Sequence, residues 1–296
     1  MPASLPPLAT TVSNGSMTDS SMTDSPMAGR QPVQLGGVQE TLFIPLAARA
    51  RETQRRHPVV RDPRAVELVE SIDYDTAKYG RGAGGFVTVL RTAIFDLWAR
   101  AFLAEHPAGT VTEIGTGLNT RFDRLDNGQA HWIDLDLPDT IELRRKFFAD
   151  TSRRTMIAAS FLDEDWLPAV AARPGPYFFV ADGVLAYLPS EQVTAALARL
   201  AQRFPGALIA LDTYPRSTYE RQHQLAARKN LARWQWAVDD PRTLERLGLR
   251  VVESATITRP PAALRRQLPA RLRYLLPLAN PVLGRTLRLT LFRAGS

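Results

Sequence analysis

The chain has 296 residues, 45% of them hydrophobic, enough for one large core or two small ones. It contains no cysteine, which excludes disulfides, thiolate metal sites and cysteine nucleophiles, and with them the covalent route to pyrimidine C5 methylation. The net charge of +7 is carried by the last segment, where eight arginines (259, 265, 266, 271, 273, 285, 288 and 293) follow Ser254 with no acidic residue, so the rest of the chain is close to neutral. Such a segment suits nucleic acid, anionic lipid or an acidic substrate, and a solvated face in an arginine-rich chain accounts for it as well.

Residues 1–30 are rich in Ser, Thr, Pro, Met and Ala, lack periodicity and carry no basic leader, so disorder is expected and not a signal peptide. Leu42, Phe43, Leu46, Ala47 and Ala50 mark a helix face, with the helix beginning at Pro45. Asp62-Pro63 opens a second helix, with Asp as cap and Pro in the first position. Residues 80–85, rich in glycine, predict a flexible link before a longer helix from about 86 to 104. These helices (about 39–106) predict a cap over a site built by the strands and turns C-terminal to them. Residues 110–120 read as a β-branched strand, the turn Gly115-Thr116-Gly117 and a helix start. A second strand is read over 130–135, with the acidic cluster Asp134, Asp136 and Asp139 at and just past its end, placing an acid about 20 residues past the first glycine, as a nucleoside-binding Rossmann-type site requires. Thr120 stands where a third glycine would sit, which loosens the packing that pyrophosphate binding uses and points away from NAD to a phosphate-free cofactor such as S-adenosylmethionine. Strand alternation puts Asp134 and Asp136 on the same side and does not choose between them.

Further on, the pattern predicts a helix over 138–149 and a strand over 155–159. A short helix opening at 163–166 and a buried parallel strand over 177–181 come after them. Next come a helix capped by Ser190, a strand over 207–211 closed by Asp212, a helix over 218–236 and another from Asp240-Pro241. Residues 249–258 and 286–292 predict two closing strands. Alternating strands and helices indicate a single α/β domain over 31–296 with a mainly parallel sheet. The insertion at about 260–284 contains Pro269, Pro277 and Pro281, which exclude one continuous helix; a lid or a surface-seeking amphipathic element is expected there. No apolar run reaches the roughly 20 residues of a membrane span, and the expected setting is cytoplasmic.

Residues 40–50, 61–68, 91–96, 113–122, 132–138, 162–166 and 182–189 keep the order and spacing of the leucine carboxyl methyltransferase family, and the chain resembles its bacterial polyketide O-methyltransferase branch. The resemblance implies a class I S-adenosylmethionine-dependent methyltransferase: a Rossmann-like, mainly parallel seven-stranded sheet with an antiparallel final strand and an N-terminal helical cap. It implies that Arg91 pairs with the methionine carboxylate of the cofactor and that Gly115 and Gly117 form the turn beneath it. Asp136, with Asp134 as its neighbour, is implied to take the ribose hydroxyls. Ser160 and Phe161 are implied to flank the adenine; many relatives carry Asp-Leu there, so Asp163 is the expected substitute for the polar contact. Asp182 stands where many relatives have Glu. Arg49, at the methyl-transfer end, and Tyr187 are the expected catalytic pair, placing an anionic group of the acceptor.

The implied activity is O-methylation of a small polyketide-like acceptor at a carboxylate or a phenolic hydroxyl, with no metal. A carboxylate is already ionised at pH 7 and needs no base, whereas a phenol benefits from one. None of His57, His106, His131 and His223 stands in an evident base position, which favours the carboxylate. The alternatives are a nucleic-acid methyltransferase, for which no Asn/Asp-Pro-Pro-aromatic motif is present, and a non-catalytic S-adenosylmethionine-binding protein.

Overall fold

The computed structural model describes residues 31–32, 42–73, 82–229 and 232–295. The expected disorder of residues 1–30, and the parts of the predicted cap and link at 39–41 and 74–81, lie outside the described residues. Seven strands form one sheet: β1 (Thr110–Ile114), β2 (His131–Asp136), β3 (Arg154–Ala158), β4 (Tyr177–Ala181), β5 (Leu208–Thr213), β6 (Leu249–Ala255) and β7 (Arg288–Ala294). Their order is β3-β2-β1-β4-β5-β7-β6. The first five are parallel, and β7 runs antiparallel to both of its neighbours. The chain winds outward from β1 in one direction through β2 and β3, and in the other through β4 and β5. Connections therefore leave the carboxyl ends of β1 and β4 on opposite faces, and a crevice opens there.

Both faces of the sheet are covered. On one, Val111, Phe178, Val180 and Leu289 pack against the helix α3 (Gly82–Glu105) and against Leu264, Leu268 and Leu276 of the C-terminal insertion. On the other, Ile133, Phe179, Ile209 and Phe292 meet Val193, Leu197 and Leu200 together with Trp166 and Trp236. Alternate residues of each strand thus serve different layers, which is why β4 reads as an unbroken apolar run.

Two further helices precede α3: α1 (Phe43–Thr53) and α2 (Pro63–Ser71). Asp62 caps α2 as predicted, its Oδ1 accepting from the Ala65 N–H at 3.0 Å with Pro63 in the first position. Residues 82–85 belong to the first turn of α3 rather than to a link. Glycine costs about 1 kcal/mol per position in a helix. The buried side of α3 (Val89, Leu90, Ile94, Phe95, Trp98 and Phe102) outweighs that cost.

Short helices follow the strands: α4 (Arg121–Leu125), α5 (Pro138–Arg145), α6 (Leu167–Ala171), α7 (Ser190–Arg203) and α8 (Arg216–Lys229). Ser190 is the first residue of α7 and not its cap; Pro189 holds that place without a side-chain bond. In place of the helix predicted over 218–236, α8 is described over Arg216–Lys229, and residues 232–239 are irregular. Tertiary bonds hold that return: Gln235 and Trp236 N–H both donate to the Ala186 carbonyl (2.7 and 3.2 Å), and the Trp236 side chain is buried. Asp240-Pro241 opens a 3₁₀ segment. The insertion folds as three short helices, α9 (Ala262–Gln267), α10 (Ala270–Leu278) and α11 (Asn280–Leu283), broken near Pro269 and Pro281.

Asp62 does more than cap. Its Oδ2 accepts from Arg49 Nε (2.8 Å), Arg124 Nη1 (2.8 Å) and Thr120 Oγ1 (2.6 Å), all within the interior. Removing one partner of a buried ion pair strands the other charge, at about 3–5 kcal/mol. Asp62→Ala should therefore lower the unfolding free energy in urea by about 3–5 kcal/mol, well beyond the ~1 kcal/mol of a lost helix cap.

Candidate functional site

A cleft of about 1120 Å³ opens over the carboxyl ends of β1, β2, β4 and β5, where the sheet order reverses. Its floor is the turn after β1. Gly115 N–H and Thr116 N–H both donate to the Leu135 carbonyl (2.8 and 3.1 Å), bending the chain sharply. Gly115 has φ +65°, and a Cβ there would lie 2.5 Å from Val184 Cγ2, so no other residue fits. Gly117 N–H donates to Asp136 Oδ2 (2.7 Å) and Leu137 N–H to Oδ1 (2.8 Å), fixing the half-buried carboxylate at the end of β2. A carboxylate has about four acceptor positions, so Asp136 keeps capacity for hydroxyl donors.

Arg49, Arg91, Gly115, Gly117, Asp136, Ser160, Phe161, Asp182 and Tyr187 all line this cleft. Asp134 does not. It is fully buried two residues below the strand end, its Oδ2 taking Arg144 Nη2 (3.0 Å) and Arg154 Nε (2.8 Å) and its Oδ1 taking Thr116 Oγ1 (3.1 Å). Burial works against its charge, but the two guanidiniums outweigh it and hold the carboxyl below its ordinary value. Asp163 is also off the wall: it is exposed, and its Oδ2 accepts from the Ser160 N–H at 3.2 Å, so it shapes the turn carrying Ser160 and Phe161.

Beneath the cleft runs a chain of alternating charges. Arg49 meets Asp62, Asp62 meets Arg124 (2.8 Å), and Arg124 meets Asp96 (2.8 Å). Asp96 meets Arg121 (2.7 Å), Arg121 meets Asp182 (2.9 Å), and Asp182 meets Arg91 (2.6 Å). Arg91 reaches Asp212 (3.4 Å), whose Oδ2 accepts from the Tyr214 hydroxyl (2.6 Å). Burial opposes the charge of Asp96, but Arg124 and Arg121 bring its carboxyl down to about 2. Glu113 of β1 joins at Arg121 and Asn119. The four guanidiniums thus face five carboxylates. Burial, with Asp134 and Asp182 nearby, pushes Glu113 up to about 7 although Arg121 pulls the other way.

The far half of the cleft is aromatic. Tyr214 and Trp234 have ring centroids 4.1 Å apart, Tyr187 stands perpendicular to Trp234 at 6.4 Å, and Tyr219 lies against His223 at 4.2 Å. His223 corrects the reading of the histidines, because it lines the cleft. Its Nε2 lies 2.6 Å from the Trp234 carbonyl, which only accepts, so Nε2 carries the proton and Nδ1 is left as an acceptor. The i, i+4 spacing of Tyr219 and His223 was visible in the sequence. The return of Trp234 onto them was not, because it depends on Gln222, whose side chain bonds both Ala232 O (2.7 Å) and Trp234 N–H (3.1 Å).

An acceptor carboxylate at the end of β2, a guanidinium on α3 and an apolar wall of Leu118, Leu135 and Phe161 suit a nucleoside with an amino-acid tail. The fold and the site are those of an S-adenosylmethionine-dependent methyltransferase. A family model described as leucine carboxyl methyltransferase matches residues 43–201. The tetracenomycin polyketide synthesis O-methyltransferase TcmP of Streptomyces glaucescens is 34% identical over 73% of this chain and 80% of its own length. The S-adenosyl-L-methionine-dependent methyltransferase dpfgK of Gibberella zeae is 26% identical over 72% of this chain and 79% of its own. The chain belongs to the leucine carboxyl methyltransferase family. A crystal structure of a DUF574 family protein from Streptomyces avermitilis shares the fold, with a TM-score of 0.51 and 15% identity over 70% of this chain and 83% of that one.

Glu113 gives the site a pH signature. Its folded value, about 7, stands above its ordinary 4.5, so between those values the folded state holds a proton that the unfolded chain has released. Its contribution to stability is therefore complete below pH 4.5 and lost as pH rises through 7. Glu113→Gln cannot titrate, so the variant should gain stability relative to the parent across that interval, read from urea midpoints at a series of pH values.

Proposed function

We propose that the protein transfers the methyl group of S-adenosylmethionine to an oxygen of a small aromatic acceptor bearing a carboxylate. The observation that carries this reading is the size and division of the cleft. Its 1120 Å³ exceeds the roughly 300–1,000 Å³ of a single-ligand pocket. The half away from Asp136 is walled by Tyr187, Tyr214, Tyr219 and Trp234, a surface for a flat ring. The part that TcmP plays in polyketide synthesis agrees with such an acceptor.

When bound, S-adenosylmethionine supplies a methyl group already activated by its sulfonium, so the protein's task is to orient and to exclude water. Asp136 accepts the ribose hydroxyls, while Ser160 and Phe161 flank the base. Arg91 takes the amino-acid carboxylate; Gly183 beside it has φ +77°, and a Cβ there would stand 2.7 Å from Arg91 Nη2, so the glycine keeps the guanidinium reachable. Asp182 holds Arg91 in place through their ion pair. Arg49 commits Nε to Asp62 and Nη2 to the Leu118 carbonyl (3.2 Å), leaving Nη1 for the acceptor carboxylate. The Tyr187 hydroxyl, without a hydrogen bond among the described residues, serves as the second donor.

His223 supports a second reading, in which a phenolic hydroxyl is the acceptor and Nδ1 removes its proton. Incubation with methyl-labelled S-adenosylmethionine and a panel of aromatic acids and phenols decides. Labelled esters support the first reading, labelled ethers the second, and neither product removes both.

Asp136→Asn should weaken S-adenosylhomocysteine binding about 10- to 100-fold in calorimetry, the scale of a hydrogen bond to a charged group. Asp134→Asn should instead lower the urea midpoint. Arg49→Lys and Tyr187→Phe should each cut kcat about tenfold or more while the S-adenosylhomocysteine Kd stays within about threefold, because of the two ligands these side chains face the acceptor and not the cofactor. His223→Ala should leave turnover of carboxylates within about threefold and depress turnover of phenols about 100-fold or more.

A further inference from the structure

The helix α10 of the insertion turns an apolar stripe outward. Arg271, Tyr274, Leu275 and Leu278 fall at i, i+3, i+4 and i+7, the spacing of one helix face. In a helix packed on a body that face is expected to point inward. Here Tyr274 is 76% exposed, Leu275 56% and Leu278 75%, while Leu276, on the opposite side, is buried and anchors the helix. No other large apolar side chain among the described residues exceeds 48% exposure.

The charged residues of the segment itself are all cationic. Arg259, Arg265, Arg266, Arg271, Arg273 and Arg285 are all exposed, and residues 254–295 contain no acidic side chain. Among the described residues none of these six has a carboxylate within ion-pair distance, although nearly every arginine beneath the cleft is paired. The partner must therefore bring both negative charge and an apolar layer. A second copy of the chain would set the same arginines against each other. A nucleic acid would neutralise the guanidiniums and leave Leu275 and Leu278 in water.

We propose that α10 and its flanking arginines dock the protein on an anionic lipid surface. The stripe enters the boundary between headgroups and acyl chains, and the guanidiniums reach the lipid phosphates on flexible stems. No helix among the described residues is long and apolar enough to cross a membrane, so the contact is superficial. The proposal does not depend on which acceptor is methylated.

Sedimentation of the full chain with vesicles tests it. Vesicles of phosphatidylcholine mixed with phosphatidylglycerol should bind the protein about tenfold or more tightly than phosphatidylcholine alone, and added salt should weaken that binding. The double variant L275S/L278S should lose about tenfold or more of it, and R265Q/R266Q/R271Q a similar share. Calorimetry with S-adenosylhomocysteine checks that each variant is folded; if the parent itself takes up none, the cofactor reading fails while the vesicle result still stands. Equal binding to the two vesicle types, no binding to either, or unchanged binding by L275S/L278S overturns the proposal. So does a parent that is dimeric in ultracentrifugation and becomes monomeric in L275S/L278S, or RNA binding that matches the vesicle binding and ignores the two leucines.

Discussion

A guanidinium cannot shed its proton in the interior, so every buried arginine dictates where carboxylates must stand. That constraint organises this molecule. Arg121 is fully buried, and Asp96, Asp182 and Glu113 converge on it from α3, from the end of β4 and from within β1. Through Asp62 and Arg124 the same network reaches α1 and α2, and through Arg91 and Asp212 it reaches the end of β5. The helices ahead of the first strand are therefore tied into the sheet by charge as well as by apolar contact. Arg49 and Arg91, two of the cations that line the cleft, arrive there already oriented by their partners. Orientation fixed in advance is the condition for a group that must bind an anion without reorganising.

How much of this was legible in the sequence depended on how local each cause is. The turn at Gly115 and Gly117 and the cap at Asp62-Pro63 were readable, because their geometry is set within a few residues. Gly82–Gly85 misled, since glycine content speaks of local freedom while α3 answers to the sheet it crosses. The helix predicted through Trp236 failed for the same reason: the Ala186 carbonyl claims the backbone of Gln235 and Trp236 from far away in the chain.

The pair Asp134 and Asp136 shows the boundary most clearly. Alternation put them on one side of β2, and nothing in their neighbours separated them. The structure separates them by depth. Asp136 ends the strand at the crevice, whereas Asp134 sits one repeat lower, where Arg144 of α5 and Arg154 of β3 close over it. Both arginines were in view as letters; only the fold says that they meet. Asp163 and His223 repeat the lesson in opposite directions, one leaving the wall and the other joining it.

The two halves of the cleft differ in how freely they can change over generations. Around Arg121 none of the arginines and aspartates can be exchanged alone without stranding a charge, so that half is locked against drift. Tyr219, His223 and Trp234 hang outside the ionic network, held by ring contacts and two main-chain carbonyls. On the proposed reading, new side chains there reshape the acceptor's seat one step at a time while the grip on the cofactor is inherited intact.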